Sequence, residues 1–261
     1  MKYDIIADNI IQWLKDYAKK SKTNGFVVGI SGGIDSALTS TLCANTGLPT
    51  LCIDMPILQS KNEVNRASNH ITWLQKNFNN ISRKSIDLNN VFSSFKSAVE
   101  KNNDQNNFLS LANSRSRLRM TTLYFFAGTN NYLVVGTGNK VEDFGIGFYT
   151  KYGDGGVDIS PIADLNKTGV FEISKILGVI DEIIKAKPTD GLWDDGRTDE
   201  DQIGATYKEL EWAMDQKDLN KKSVDFTARE KEVIEILTKF NQQNLHKMIP
   251  IPIYKIPEEL K

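Results

Sequence analysis

The stretch Phe26-Val27-Val28-Gly29-Ile30-Ser31-Gly32-Gly33-Ile34-Asp35-Ser36 carries residue types suited to phosphate chemistry. Val27, Val28 and Ile30 are β-branched and apolar, the composition of a strand covered on both faces. Gly32 and Gly33 allow backbone angles closed to other residues and let a ligand approach the main chain. The run Ser36 to Ala44 predicts a helix whose first N–H groups have no partner inside the helix, so an anion there is stabilised. Strand, glycine turn and helix make a phosphate cradle. Ser31, Ser36 and the local N–H groups suit phosphate oxygens, and Asp35 suits a magnesium ion bridging them. The cradle is not a Walker A loop, because no Lys follows Gly33, and its glycine spacing is not that of the dinucleotide fingerprint. A plain strand–turn–helix joint explains the glycines but not both serines and Asp35 at this spacing.

Two later segments add reactive groups. Val134-Val135-Gly136-Thr137-Gly138-Asn139-Lys140-Val141-Glu142 ends a strand and opens a helix, with Glu142 about one turn inside. Glu142 can join Asp35 on one metal ion, although a single Glu after a strand is more often a solvated helix residue. Phe148 to Pro161 then crowds Gly153, Gly155 and Gly156 with Lys151, Asp154, Asp158, Tyr149 and Tyr152. Such a run cannot be a stable helix or a central strand. Ordering it costs conformational entropy that tight turns or a ligand must offset, and a bare surface turn leaves the aromatic residues unexplained.

The elements that must position these groups alternate. Helical spacing over residues 3–19 leads into the first strand, and Thr50–Asp54 forms a second. Ser60-Lys61-Asn62-Glu63 is a capping box that starts a helix to about Phe78. Ile81 to Leu88 is a third strand, Val91 to about Glu100 a helix, 101–107 a polar loop, Phe108 to Gly128 a long helix, and Tyr132 to Thr137 a strand. This order implies an α/β fold, a doubly wound parallel sheet flanked by helices with ligands at the carboxyl ends of its strands. Beyond residue 165 the pattern turns helical, at 167–178, 206–214 and 227–241, the last opening on a capping box at Thr227-Ala228-Arg229-Glu230. We expect one domain over 1–261, with a nucleotide-binding core over 1–165 and a mainly helical part over 166–261. The acidic segment between Asp190 and Gly204, with Asp194, Asp195, Asp199, Glu200 and Asp201, lacks EF-hand spacing and reads as a solvated mobile loop.

Composition narrows the classes. The chain has 261 residues, 40% apolar and 25% charged, with a formal net charge of −1, so no global field draws nucleic acid. Cys43 and Cys52 form no C-x-x-C motif and read as small buried hydrophobes. Gln12, Lys15 and Asp16 interrupt any signal-peptide core, and no window approaches the roughly 20 apolar residues of a membrane span. No membrane partner and a cytoplasmic location are expected. His70 reads as surface or core packing. Arg115, Arg117 and Arg119 alternate along a helix, so at most one or two face a ligand.

The S-G-G-x-D-S loop resembles the pyrophosphate loop of the ATP pyrophosphatase superfamily. With V-V-G-T-x-N-K-x-E, then F-x-T-K-Y-G-D-G-G-x-D-I-x-P-I, then L-N-K-T, the chain resembles ammonia-dependent NAD synthetase over roughly residues 25–260. The resemblance implies adenylation of the nicotinate carboxylate of deamido-NAD by ATP with Mg²⁺, then displacement of AMP by ammonia. It implies a homodimer with the dinucleotide at the subunit interface. It assigns Gly29, Ile30, Ser31, Gly32, Gly33, Ile34, Asp35, Ser36, Thr137, Lys167 and Thr189 to ATP, and Asp35 with Glu142 to the metal. Arg117, Lys151, Asp158, His246 and Lys247 fall to deamido-NAD. Asp35 and Lys167 are then expected to act on the phosphates, and Asp154 or Asp158 to take a proton from ammonia. One departure is visible: from Glu142 to Lys151 the chain runs one residue longer than in many members.

Two other readings keep the loop. Transfer of the adenylate to another acceptor, as in tRNA thiolation or GMP synthesis, would favour paired cysteines and a basic face. A nucleotide-sensing module without turnover would tolerate loss of Asp35, Glu142, Asp154 and Asp158, all of which are present. With no amidase segment in the sequence, free ammonia rather than glutamine is the expected donor.

Overall fold

The computed structural model describes residues 1–100, 107–186, 198–219 and 226–261. Four strands, β1 (Gly25–Gly29), β2 (Thr50–Asp54), β3 (Ile81–Ser85) and β4 (Tyr132–Val134), form one parallel sheet in the order β3-β2-β1-β4. Val27 sits between Leu51 and Val134 in register. Parallel neighbours require crossovers, and helices supply them. β1 reaches β2 through α2 (Ile34–Asn45), β2 reaches β3 through α3 (Lys61–Asn77), and α4 (Asn89–Val99) with α5 (Phe108–Asn130) lies between β3 and β4. The expected doubly wound sheet is therefore present. The fourth strand is shorter than its apolar run: regular pairing stops at Val134, and Val135 makes a single bridge to Ile159.

Successive strand residues face opposite layers. Phe26, Val28 and Cys52 point into a core shared with α1 (Tyr3–Ser21), α2, α3, α6 (Lys167–Ile176) and α7 (Asp181–Ile184), where Leu14, Leu38, Leu42, Ile71 and Ile173 are fully buried. Val27, Leu51 and Ile53 point the other way, against Phe92 of α4 and Ala127 of α5. Each such aliphatic or Phe side chain contributes about 1.5–3 kcal/mol when removed from water. A third core gathers Val141 and Ile146 with Ile203, Tyr207, Leu210, Val233 and Leu237, and unites α8 (Asp199–Ile203), α9 (Tyr207–Asp218) and α10 (Ala228–Met248).

Capping boxes start α3 at Ser60 and α10 at Thr227, as expected, and also start α8 at Thr198 and α9 at Thr206. This corrects the reading of the acidic segment as wholly solvated. Thr198 and Asp201 cap each other, which nucleates α8, and this helix buries both Asp199 and Ile203. Asp194 and Asp195 lie outside the described residues, as does most of the 101–107 loop. His70 is buried on α3, where its Nε2 meets Ser40 Oγ of α2 at 2.9 Å and its ring stacks on Trp73. Burial pushes its pKa down to about 4, so it packs as a neutral core residue. Among the described residues no helix is long and apolar enough to cross a membrane.

Sheet order reverses at β1, which has β2 on one side and β4 on the other. In open parallel sheets the crevice beyond the strand ends opens at such a switch point. The Gly29–Ser36 turn and the segment after Val134 both emerge there.

Candidate active site

The glycine turn is held in shape by its own serines. Ser31 N–H donates to Ser36 Oγ at 3.2 Å, the two hydroxyl oxygens lie 3.1 Å apart, and Gly33 N–H donates to Ser31 Oγ at 3.1 Å. Gly32 has φ +85°, and a Cβ there would meet the Glu63 carbonyl of α3 at 2.6 Å, so no larger residue fits. Arg66, one turn along α3, donates from Nε to the Gly32 carbonyl at 3.2 Å and braces the turn from behind.

Asp35, in the first turn of α2, faces Lys167 at the start of α6. Their Oδ2 and Nζ are 2.6 Å apart, and the same Nζ lies 2.9 Å from Glu142 Oε1. A lysine at a helix N-terminus is opposed by the helix dipole, so these two carboxylates are what hold Lys167 in place, 3% exposed. Burial pushes the Asp35 carboxyl above its ordinary value against the pull of Lys167. Burial acts on Glu142 in the same sense, but the Lys167 charge and the Tyr207 hydroxyl outweigh it and keep this pKa low. Burial also works against the Lys167 ammonium, yet its two carboxylates hold it above the usual lysine range. Two carboxylates and one ammonium leave a formal excess of one negative charge (−2 + 1) beside the phosphate cradle. Among the described residues no three His, Cys, Asp or Glu side chains form a ready metal cage. A hard divalent ion such as Mg²⁺ needs no cage: one or two carboxylates plus phosphate oxygens and water suffice. Asp35 and Glu142 fit that demand.

Glu142 sits on a π-helical turn, Val141–Ile146, not on the α-helix anticipated. Its carbonyl accepts from the N–H groups of Gly147 and, at 2.8 Å, Phe148. A π-turn inserts one residue into helical geometry. The turn leaves Glu142 aimed at Lys167. Asn139 ties the turn to Asp35: its Nδ2 donates to Asp35 Oδ1 at 3.0 Å, while its Oδ1 accepts from the N–H groups of Val141 (3.1 Å) and Glu142 (3.2 Å).

A cavity of about 440 Å³ opens in front of this cluster, lined by residues 29–36, Thr137, Glu142, Asp154, Lys167 and Lys247. The glycine-rich loop forms part of its wall through consecutive turns, Gly153 and Gly155 N–H both donating to the Thr150 carbonyl and Gly156 N–H to that of Gly153. Asp154 accepts from Ser116 Oγ at 2.7 Å and Thr150 N–H at 2.9 Å, and desolvation raises its pKa in spite of these bonds. Lys247 donates to the carbonyls of Gly147 and Tyr149 at 2.9 and 2.8 Å.

The other expected ligands of the acceptor lie outside this cavity. Arg117 is exposed and donates to the Lys151 carbonyl, and Lys151 Nζ donates to the His246 carbonyl at 2.6 Å. The His246 side chain is exposed. Asp158 accepts from Tyr124 Oη (2.9 Å) and Val134 N–H (2.8 Å), pinning the loop to β4. Thr189 lies outside the described residues. Of the three alternating arginines, Arg119 lines the cavity and donates from Nε to the Met55 carbonyl at 3.0 Å, while Arg115 is buried over Phe92. The sequence pattern assigned no role to Asn139 or Tyr207, and left Arg119 as one of three alternating arginines. Asn139 did stand in the quoted N-K-x-E motif, before a helix start; Tyr207 followed the capping residue Thr206 but carried no sign of its distant partner.

A profile of the NAD synthase family matches residues 6–250. The NH(3)-dependent NAD(+) synthetase of Finegoldia magna is 38% identical over 212 residues, covering 81% of this chain and 84% of that one. Among solved structures, the NMN synthetase of Francisella tularensis superposes with a TM-score of 0.84 at 30% identity, over 99% of each chain. The NH3-dependent NAD synthetase of Campylobacter jejuni, in complex with nitrate, gives 0.79 at 25% identity, over 98% of this chain and all of that one.

Proposed function

Because this chain belongs to the NAD synthase family, we propose that it uses ATP to convert the nicotinate carboxylate of deamido-NAD to the amide, with ammonia as nitrogen donor. NAD, AMP and pyrophosphate are the products, which makes it a carbon–nitrogen ligase. The observation that carries this reading is the Asp35–Lys167–Glu142 cluster at the mouth of the Ser31–Ser36 turn. An amide cannot form from a free carboxylate and ammonia in water without activation, and adenylation supplies a good leaving group.

In the first step a carboxylate oxygen attacks the α-phosphorus, the bond to the β-phosphate oxygen breaks, and pyrophosphate departs. Ser31, Ser36 and the N–H groups of Gly32, Gly33 and Ile34 receive the β- and γ-phosphates, with Gly29, Ile30, Thr137 and Thr189 completing the ATP site. Lys167 sits where charge builds on the transferring phosphate and stabilises it there. Magnesium on Asp35 and Glu142 supplies charge neutralisation and a template for the phosphates when bound. In the second step the ammonia nitrogen attacks the acyl carbon, the carbon–oxygen bond to AMP breaks, and one proton leaves the nitrogen. Asp154, whose carboxyl is raised by desolvation, lines the same cavity and accepts that proton. Arg117, Lys151, Asp158, His246 and Lys247 form the outer deamido-NAD site, completed in a homodimer by the second subunit. We place the enzyme in the cytoplasm.

The likeness to an NMN synthetase favours a second reading in which the acceptor is the nicotinate mononucleotide and the product is NMN, by the same chemistry at the carboxylate. Incubation of purified protein with ATP, magnesium, ammonium and each acceptor in turn separates the two. NAD and pyrophosphate in equal amounts from deamido-NAD, at higher kcat/KM than NMN from the mononucleotide, supports the first reading. The reverse preference supports the second, and no amide product from either acceptor overturns both.

A further inference from the structure

Glu142 Oε1 receives two hydrogen bonds: one from Lys167 Nζ and one, at 2.6 Å, from the phenol of Tyr207. Tyr207 is the first residue of α9 and is 5% exposed, in the helical core remote in sequence from the phosphate turn. Its oxygen also lies 3.2 Å from Asp199 Oδ2 of α8, and the Lys167 ammonium stands over its ring, 4.7 Å from the centroid. A phenol has one proton, so it serves one carboxylate at a time, and the shorter contact assigns it to Glu142. The ring is itself fixed: Tyr207 N–H donates to Glu200 Oε1 at 2.9 Å, and Thr206 caps the helix. One turn on, Glu211 of α9 accepts from both the N–H (2.8 Å) and hydroxyl (2.7 Å) of Thr168, the neighbour of Lys167. α9 therefore grips the start of α6 at two points, one through Glu211 and one through Tyr207.

We propose that Tyr207 is a positioning residue: its hydroxyl fixes the Glu142 carboxylate, and its ring face seats the Lys167 ammonium, in the arrangement that receives the triphosphate. Nothing in the reaction requires the phenol to touch substrate. The buried carboxylate must keep one rotamer although its second partner, Lys167, turns toward phosphate as charge develops. A neutral donor that does not leave with the lysine keeps Glu142 in place. The energetic share of one hydrogen bond to a charged group, about 1.5–3 kcal/mol, corresponds to roughly 10- to 150-fold in rate.

This inference rests on the roles given to Glu142 and Lys167 above. The test uses the full chain and Tyr207→Phe, which keeps the ring and removes only the hydroxyl, with kinetics run well below the melting midpoint of every variant. We expect kcat to fall about 10- to 100-fold while KM for ATP stays within about threefold. Placed on Glu142→Gln, with slow turnover followed by release of labelled pyrophosphate, the same change should cost less than about threefold, because the carboxylate it positions is already lost. Unchanged kcat in Tyr207→Phe overturns the inference. So does a loss carried by KM for ATP, or an equal loss in the Glu142→Gln background, which would make the hydroxyl a packing element. If the wild-type protein forms no amide product, the proposed function fails first and the variants are compared by the single-turnover rate of labelled pyrophosphate release from ATP: a Tyr207→Phe loss that vanishes on Glu142→Gln sustains the positioning role, and an additive one overturns it.

Discussion

At the scale of single residues, the site is an arrangement of charges that is stable only as a set. Lys167 is buried beside two carboxylates, and removing the lysine leaves two buried carboxylates without their counter-charge, a change that costs several kcal/mol in comparable settings. Asp35 holds the least comfortable position, since burial raises its pKa although Lys167 is 2.6 Å away. Replacing Asp35 with Asn keeps the side-chain shape but leaves Lys167 and Glu142 as a neutral pair with no excess negative charge. We predict that Asp35→Asn retains its fold by circular dichroism and loses at least about 100-fold in kcat, with weakened magnesium dependence. Wild-type turnover in this variant would show that the phosphates are handled elsewhere.

At the scale of elements, the π-turn Val141–Ile146 is the piece on which the rest depends. It lifts Glu142 from the end of β4 to the face of α6 and ends at Gly147, whose φ is +64°. A Cβ at Gly147 would collide with Asn244 and Met248 of α10, while Asn244 Nδ2 and Lys247 Nζ donate to the carbonyls of Ile146 and Gly147 at 2.8 and 2.9 Å. The glycine is therefore required both by its left-handed backbone and by the close approach of α10. We predict that Gly147→Ala lowers the unfolding free energy by about 2–3 kcal/mol in urea titration, the sum of left-handed strain and a displaced helix. Because the displaced turn carries Glu142, kcat should fall even at temperatures where the variant is folded. Stability equal to wild type would mean that the turn relaxes freely and does not register Glu142.

At the scale of the whole molecule, the site lies where the three cores meet. Asp35 and Lys167 come from the layer on one side of the sheet, Arg119 from α5 on the other, and Glu142 and Tyr207 from the third core. No single layer contains it, so the candidate cluster also ties the α/β sheet to the helical part. The outer surface of α4 and α5 exposes Val91, Phe95, Val99, Leu109 and Phe125, the last two 65% and 66% accessible. Exposed apolar side chains gathered on two neighbouring helices suit an association surface, in keeping with the homodimer we propose. Sedimentation at micromolar concentration should give twice the chain mass. Phe125→Glu should shift it toward the single chain and raise KM for the dinucleotide more than for ATP. A fully active monomer would remove the interface from the account.

Much of this was legible in the letters because it is written in short-range patterns. The apolar run 26–30, the capping residues Ser60 and Thr227, and the alternation of strands and helices each depend on neighbours within a few positions, where sterics and hydrogen-bond geometry leave little choice. The glycine turn belongs to the same class: both serines bond atoms within five residues of themselves. The sequence determined the sheet, its crossovers and the cradle. The tertiary structure decided which side chains complete it. Asn139 reaches Asp35 across 104 positions and Tyr207 reaches Glu142 across 65, separations over which local patterns carry no information. It also decided that Arg119 and not Arg117 lines the cavity, that Asp158 serves β4, and that Glu142 sits on a π-turn. Those outcomes follow from how three cores pack against one sheet edge, because a side chain's partner is set by the layers that close over it.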